Sequence, residues 1–133
     1  MNEKMYPLSK AEYGVYLGHI SDRQGTAYNV PFTLKFRKPF DIPALKSAVE
    51  TVISNHPNLN SRFAADKKGV ISRELLEEPI KVKVITSDET DVISYVKPFD
   101  LETGPCVRAY IFDRTDSVEL LIDVHNIVFD SVS

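Results

Sequence analysis

The sequence predicts a layered α/β domain, with helices packed on a mixed, largely antiparallel sheet. Segments with apolar residues at helical spacing are interspersed with short alternating or apolar runs of strand length. Turn residues separate these segments, and no repeat, low-complexity run or internal linker interrupts them. At 133 residues, 43% apolar and 26% charged, the chain can bury a core without staples and is not a disordered or fibrous sequence.

The first helix is expected over residues 9–20. Ser9 and Glu12 have capping-box spacing, and Tyr13, Tyr16, Leu17 and Ile20 form the apolar stripe. A polar loop leads to an extended segment, 28–37, in which Val30, Phe32, Leu34 and Phe36 alternate with polar residues or proline. Asp41 caps a second helix with Pro43 in its first turn, and Leu45, Ala48, Val49, Val52 and Ile53 form its stripe. Pro57 ends it. Residues 59–65 and 70–76 make a hairpin across Asp66-Lys67-Lys68-Gly69, and 80–85 alternates as a further strand. Ser87 or Asp88 starts a weaker helix reaching Lys97. Residues 98–105 form a structured loop that retains Phe99 and Leu101. The last hairpin joins 107–112 to 118–124.

Composition narrows the function classes. A net charge of −3 argues against a nucleic-acid partner. No apolar run approaches the ~18 residues a membrane helix needs, and residues 1–5 do not read as a signal peptide. The single cysteine, Cys106, cannot form an internal disulfide, so a reducing, cytoplasmic setting is expected. Cys106 itself reads as a small buried apolar residue rather than a nucleophile. His19 and His56 read as surface or helix-end residues. Lys67, Lys68, Lys81 and Lys83 read as solvated, or as a face for an acidic protein partner.

The chemistry-bearing segment is Asp123-Val124-His125-Asn126-Ile127-Val128-Phe129-Asp130-Ser131. Polar residues closing an apolar strand are expensive to bury unless hydrogen-bonded. Two readings stay open on spacing alone: a structural histidine with a turn-forming aspartate, or a reactive motif. Asp123, His125 and Asp130 lack a dense ligand cluster nearby, so no metal is expected.

The segment resembles the His-His-x-x-x-Asp-Gly signature of nonribosomal peptide synthetase condensation domains, of the chloramphenicol acetyltransferase-like superfamily. Ser9-Lys10-Ala11-Glu12 resembles the opening Ser-x-Ala-Gln of that family. His56-Pro57-Asn58-Leu59-Asn60-Ser61-Arg62-Phe63 resembles its Arg-His-Glu-x-Leu-Arg-Thr-x-Phe motif. Pro98-Phe99-Asp100-Leu101 with Gly104-Pro105 and Arg108-Ala109 matches a further hallmark. The resemblance implies that residues 1–133 are the N-terminal lobe of a condensation-like domain, truncated after the His-x-x-x-x-Asp motif. It implies amide formation between a carrier-bound acyl or peptidyl thioester and an aminoacyl amine. No cofactor is expected to bind directly, because the substrates ride on phosphopantetheine arms of carrier proteins. The partners implied are those carriers and the missing C-terminal lobe, and the chain alone is expected to be inactive.

The departures from the family pattern are specific. His125 occupies the first histidine position, chiefly structural in the family, and Asn126 stands at the catalytic second position. Ser131 replaces the motif glycine. Asp130 is the motif aspartate, but the arginine that pairs with it in the family is Asn60 here. Arg62, two residues on and on the same strand face, is the candidate replacement cation; otherwise it is a solvated strand residue. A non-catalytic carrier-binding domain and a related O-acyltransferase are the alternative functions.

Overall fold

The computed structural model describes residues 5–128. In chain order these are β1 (Met5–Pro7), α1 (Lys10–Ser21), β2 (Asn29–Arg37), α2 (Ile42–Ser54), β3 (Ser61–Ala65), β4 (Ile71–Leu75), β5 (Lys83–Thr86), β6 (Val107–Asp113) and β7 (Ser117–His125). Short 3₁₀ turns occupy Pro57–Leu59, Val92–Tyr95 and Asn126–Val128. The layered α/β class is the expected one, but the strands divide into two sheets. One is antiparallel in the order β1-β4-β3; the other runs β2-β7-β6-β5, with only β5 and β6 parallel. The division follows from where β3 finds its second neighbour. Phe63 N–H donates to the Leu101 carbonyl at 2.7 Å, and Cys106 N–H donates to Leu59 at 2.9 Å. This edge is therefore tied to the 98–106 loop rather than to a strand of the larger sheet.

Strand β7 lies between β2 and β6, and six of its nine residues are buried. Val118, Leu120 and Val124 join Val49 and Ile53 of α2 and Phe63 of β3 in the main core. On the other face, Leu121 packs with Phe112 and Val92. The nine-residue register of β2 on β7 sets Asn29 opposite His125, which brings the start of one strand to the end of the other.

Helix α1 starts as its sequence dictates. Ser9 Oγ accepts from Glu12 N–H at 3.1 Å, and Glu12 Oε1 accepts from Ser9 N–H at 2.9 Å. Its buried face is a different one. Glu12, Tyr16 and His19 are buried, whereas Tyr13 and Leu17 are 42% and 45% exposed. The cause is an ion pair: the second oxygen of Glu12 meets Arg73 of β4 in the interior. Arg73 also lies over the Phe63 ring at 5.3 Å. This pair turns the helix so that a polar stripe faces inward, and His19 is not a surface residue.

Two further expectations change. The strand expected over 80–85 begins only at Lys83. Val82 N–H donates to Glu50 Oε2 of α2 at 2.9 Å, so the preceding residues follow the helix rather than β6. The helix expected up to Lys97 contracts to the single 3₁₀ turn Val92–Tyr95, capped by Asp91. Ser87 Oγ instead accepts from Glu89 and Thr90 N–H in a local turn, leaving this β-branched stretch with little to propagate a helix. The hairpin turn after β3 is as expected: Asp66 Oδ1 accepts from Lys68 and Val70 N–H, and Gly69 takes φ +80°.

Candidate functional site

The site is built where β7 ends. His125 is fully buried, and its ring is enclosed by three others. Tyr28 stacks on it at 6.0 Å, Phe99 meets it edge-on at 5.9 Å, and His19 meets it edge-on at 4.9 Å. The two histidines are hydrogen-bonded through His125 Nε2 and His19 Nδ1 at 3.1 Å. On its other side, His125 Nδ1 accepts from the backbone N–H of Ile127 at 3.1 Å. Burial, and secondarily His19, pushes the His125 pKa down to about 3. Burial, with Arg23 nearby, lowers that of His19 as well. Both imidazoles are therefore neutral near pH 7.

Asn126 begins the 3₁₀ turn immediately beyond. Its backbone N–H donates to the Tyr28 carbonyl at 2.7 Å, and its side chain is only half-buried. The amide can donate and accept hydrogen bonds but cannot take up a proton near neutral pH. Ile127 and Val128, next in the turn, are fully buried and pack beneath α1.

A second polar group stands two residues back on the same strand face. Asp123 is fully buried; its Oδ2 accepts from Asn29 Nδ2 at 2.8 Å, and its Oδ1 has no partner among the described residues. Burial raises its pKa, against the opposing effect of the Asn29 bond. Arg108 lies over the Phe99 ring at 4.0 Å and donates to the carbonyls of Lys97 and Pro98 at 2.8 and 2.6 Å. This clamp holds the 98–105 loop against His125. Gly104 closes the loop at φ +64°, where an added Cβ would lie 2.3 Å from the Ser61 carbonyl oxygen. Cys106 is buried, its Sγ 3.4 Å from the same carbonyl, and burial pushes its thiol up to about 12. Such a thiol is not a nucleophile at neutral pH.

The remaining candidates lie apart. Asn60 Nδ2 donates to the Glu78 carbonyl at 2.7 Å. It lines a surface groove of about 650 Å³ shared with Ile80, Lys83, Pro105, Val107, Arg108 and Tyr110, where Val107 and Arg108 of β6 pair with Val124 and Asp123 of β7. The Arg62 guanidinium is engaged by Glu74 Oε2 at 3.1 Å and by the Glu102 carbonyl at 2.9 Å. Its candidate partner Asp130, and Ser131, lie outside the described residues. Among the described residues no three His, Cys, Asp or Glu side chains gather as a metal set, and no helix is long and apolar enough to cross a membrane. Sequence reasoning missed His19, Tyr28 and Asn29 as parts of this site. The Glu12, Tyr16, His19 spacing is a helical stripe, visible only if polar residues are admitted to an inward face.

Comparison with known proteins matches residues 2–133 to the family model described as a condensation domain. Surfactin synthase subunit 2 of Bacillus subtilis is 31% identical over 98% of this chain, which spans 4% of that protein. Bacitracin synthase 3 of Bacillus licheniformis is 32% identical over 98% of this chain and 2% of its own length. Among solved structures, the starter condensation domain of rhizomide synthetase superposes with a TM-score of 0.77 at 18% identity, covering 94% of this chain and 31% of the other. The first condensation domain of the CDA synthetase gives 0.74 at 19% identity, covering 93% of this chain and 36% of the other. The chain thus spans about a third of these solved structures and a few per cent of the curated relatives.

Proposed function

The chain belongs to the condensation-domain family, and from that premise we propose that it forms the N-terminal lobe of a nonribosomal peptide synthetase condensation domain. Completed by a C-terminal lobe, the domain joins an acyl or peptidyl thioester on one carrier protein to an aminoacyl amine on another. The amine nitrogen attacks the thioester carbonyl carbon. A C–N bond forms, the C–S bond breaks, the thiolate leaves on its phosphopantetheine arm, and the amine loses one proton. No cofactor is held by the lobe itself; the phosphopantetheine arms arrive with the substrates.

The observation that carries this reading is the end of β7, where an enclosed, neutral His125 is followed at once by a half-exposed Asn126. His125 supports the turn, Asn126 meets the amine, and Asp130 with Ser131 continues the motif. Asn126 orients the amine by hydrogen bonding, and proton removal falls to solvent. Loss of a general base lowers a rate by ~10²–10⁴-fold, so catalysis rests mainly on positioning between the two lobes. Asn60 and Arg62 stand at the family's second motif, but their side chains are engaged by the Glu78 carbonyl, and by Glu74 and the Glu102 carbonyl, respectively.

The test uses the parent synthetase with both carriers loaded. Asn126→His is expected to raise the condensation rate by ~10²–10⁴-fold, the range a general base supplies. An unchanged rate in a well-folded variant would instead support the alternative, a carrier-binding lobe without chemistry.

A further inference from the structure

We propose that His19 is a positioning residue of this site: from α1 it accepts the Nε2 proton of His125 and so sustains the tautomer whose other nitrogen holds the turn that presents Asn126. The proposal rests on the condensation reading for what Asn126 does, and on geometry alone for what His19 does. Ile127 N–H can only donate, so His125 Nδ1, 3.1 Å away, must offer its lone pair. A neutral His125 then carries its proton on Nε2, which faces His19 Nδ1 at 3.1 Å. His19 Nδ1 must in turn accept, which leaves its own proton on Nε2. One combination of tautomers satisfies both contacts.

Any other state breaks one of them. A proton on His125 Nδ1 would face the Ile127 N–H, and a proton on His19 Nδ1 would face the His125 N–H. The residue before His19 adds a second contact. A Cβ at Gly18 would lie 2.0 Å from the Tyr28 hydroxyl oxygen, so only glycine admits Tyr28 in this position. Tyr28 stacks on His125 and supplies the carbonyl that takes the Asn126 N–H. Consecutive residues of α1 thereby reach both backbone contacts that define the Asn126 turn. An apolar residue at position 19 would fill the volume but leave the buried His125 N–H without an acceptor.

The lock is tested on the full 133-residue chain by ¹⁵N imidazole spectroscopy and hydrogen exchange. Both rings are expected neutral at pH 7 with the proton on Nε2. In His19→Leu the Ile127 amide should exchange roughly tenfold faster, while His19→Gln, whose side-chain oxygen can accept, should restore slow exchange. A proton on His125 Nδ1, or an Ile127 amide indifferent to His19→Leu, overturns the lock. If His19→Leu fails to fold, the wild-type tautomers and His19→Gln still decide it. In the parent synthetase, His19→Leu should lower kcat for condensation with KM for the loaded carriers unchanged, and His19→Gln should rescue it. Unchanged kcat in His19→Leu would overturn the positioning role. A parent inactive in every variant counts against the condensation reading, and the spectroscopic arm continues to judge the lock.

Discussion

His125 and Asn126 are adjacent in sequence and differ sharply in surroundings. One is sealed among aromatic rings; the other stands half-open at a turn. The sealed histidine predicts a pH dependence of stability. Its folded pKa, about 3, lies below the ordinary value of 6.5, and that of His19 is also lowered. The unfolded chain therefore binds more protons below pH 6.5, and stability must fall as pH drops through that value. Each displaced histidine contributes a slope of up to about 1.4 kcal/mol per pH unit. Arg23 beside His19 strengthens the effect, whereas Asp22 and Asp100 oppose it. Asp123, whose pKa is raised, acts in the opposite sense as its carboxyl takes up a proton. Urea unfolding between pH 7 and 5 should show a declining midpoint in the wild type. A flat profile there would mean that the two rings are not buried as neutral bases. At this scale the segment drew notice because polar residues close an apolar strand, while its reading as a motif of His125, Asn126 and Asp130 came from the family resemblance and not from spacing. His19 was not, because its partner lies 106 residues away and nothing local marks a helix-end histidine as buried.

At the level of elements, the ion pair from α1 to β4 joins the first helix to the smaller sheet. Arg73→Ala should destabilise the fold by about 3–5 kcal/mol, since it strands the buried Glu12 carboxylate. Replacing both partners with apolar residues of similar size should be milder, and calorimetry on the single and double variants decides this. The loop before β6 makes a second prediction. Gly104→Ala forces a Cβ into the Ser61 carbonyl at positive φ and should cost ~2 kcal/mol or more, read as a lowered Tm. α2 and both hairpins were legible because caps, periodicity and turn residues agree within each segment; α1 was legible from its capping box, while its apolar spacing pointed to the wrong face. The first residues of the expected β5 strand and the third helix were not. There a tertiary contact, Val82 N–H to Glu50, and local Ser87 turns outcompete the pattern. The short β1 pairs through its backbone with β4 and carries no periodic signal of its own.

Considered whole, the molecule is organised around β7, which is paired on both sides and carries the motif at its end. Its partner strand β2 and its supporting helix α1 both lie in the first 37 residues. This arrangement has a consequence for biosynthesis. A ribosome adding ~5–20 residues per second needs roughly 5–20 s to make the segment between His19 and His125. For that time α1 has no His125 to meet and β2 has no β7, and all three rings that come to enclose His125, those of His19, Tyr28 and Phe99, are made before it. Until β7 follows, the nascent chain holds a polar helix face and a nine-residue strand edge without the partners that later cover them.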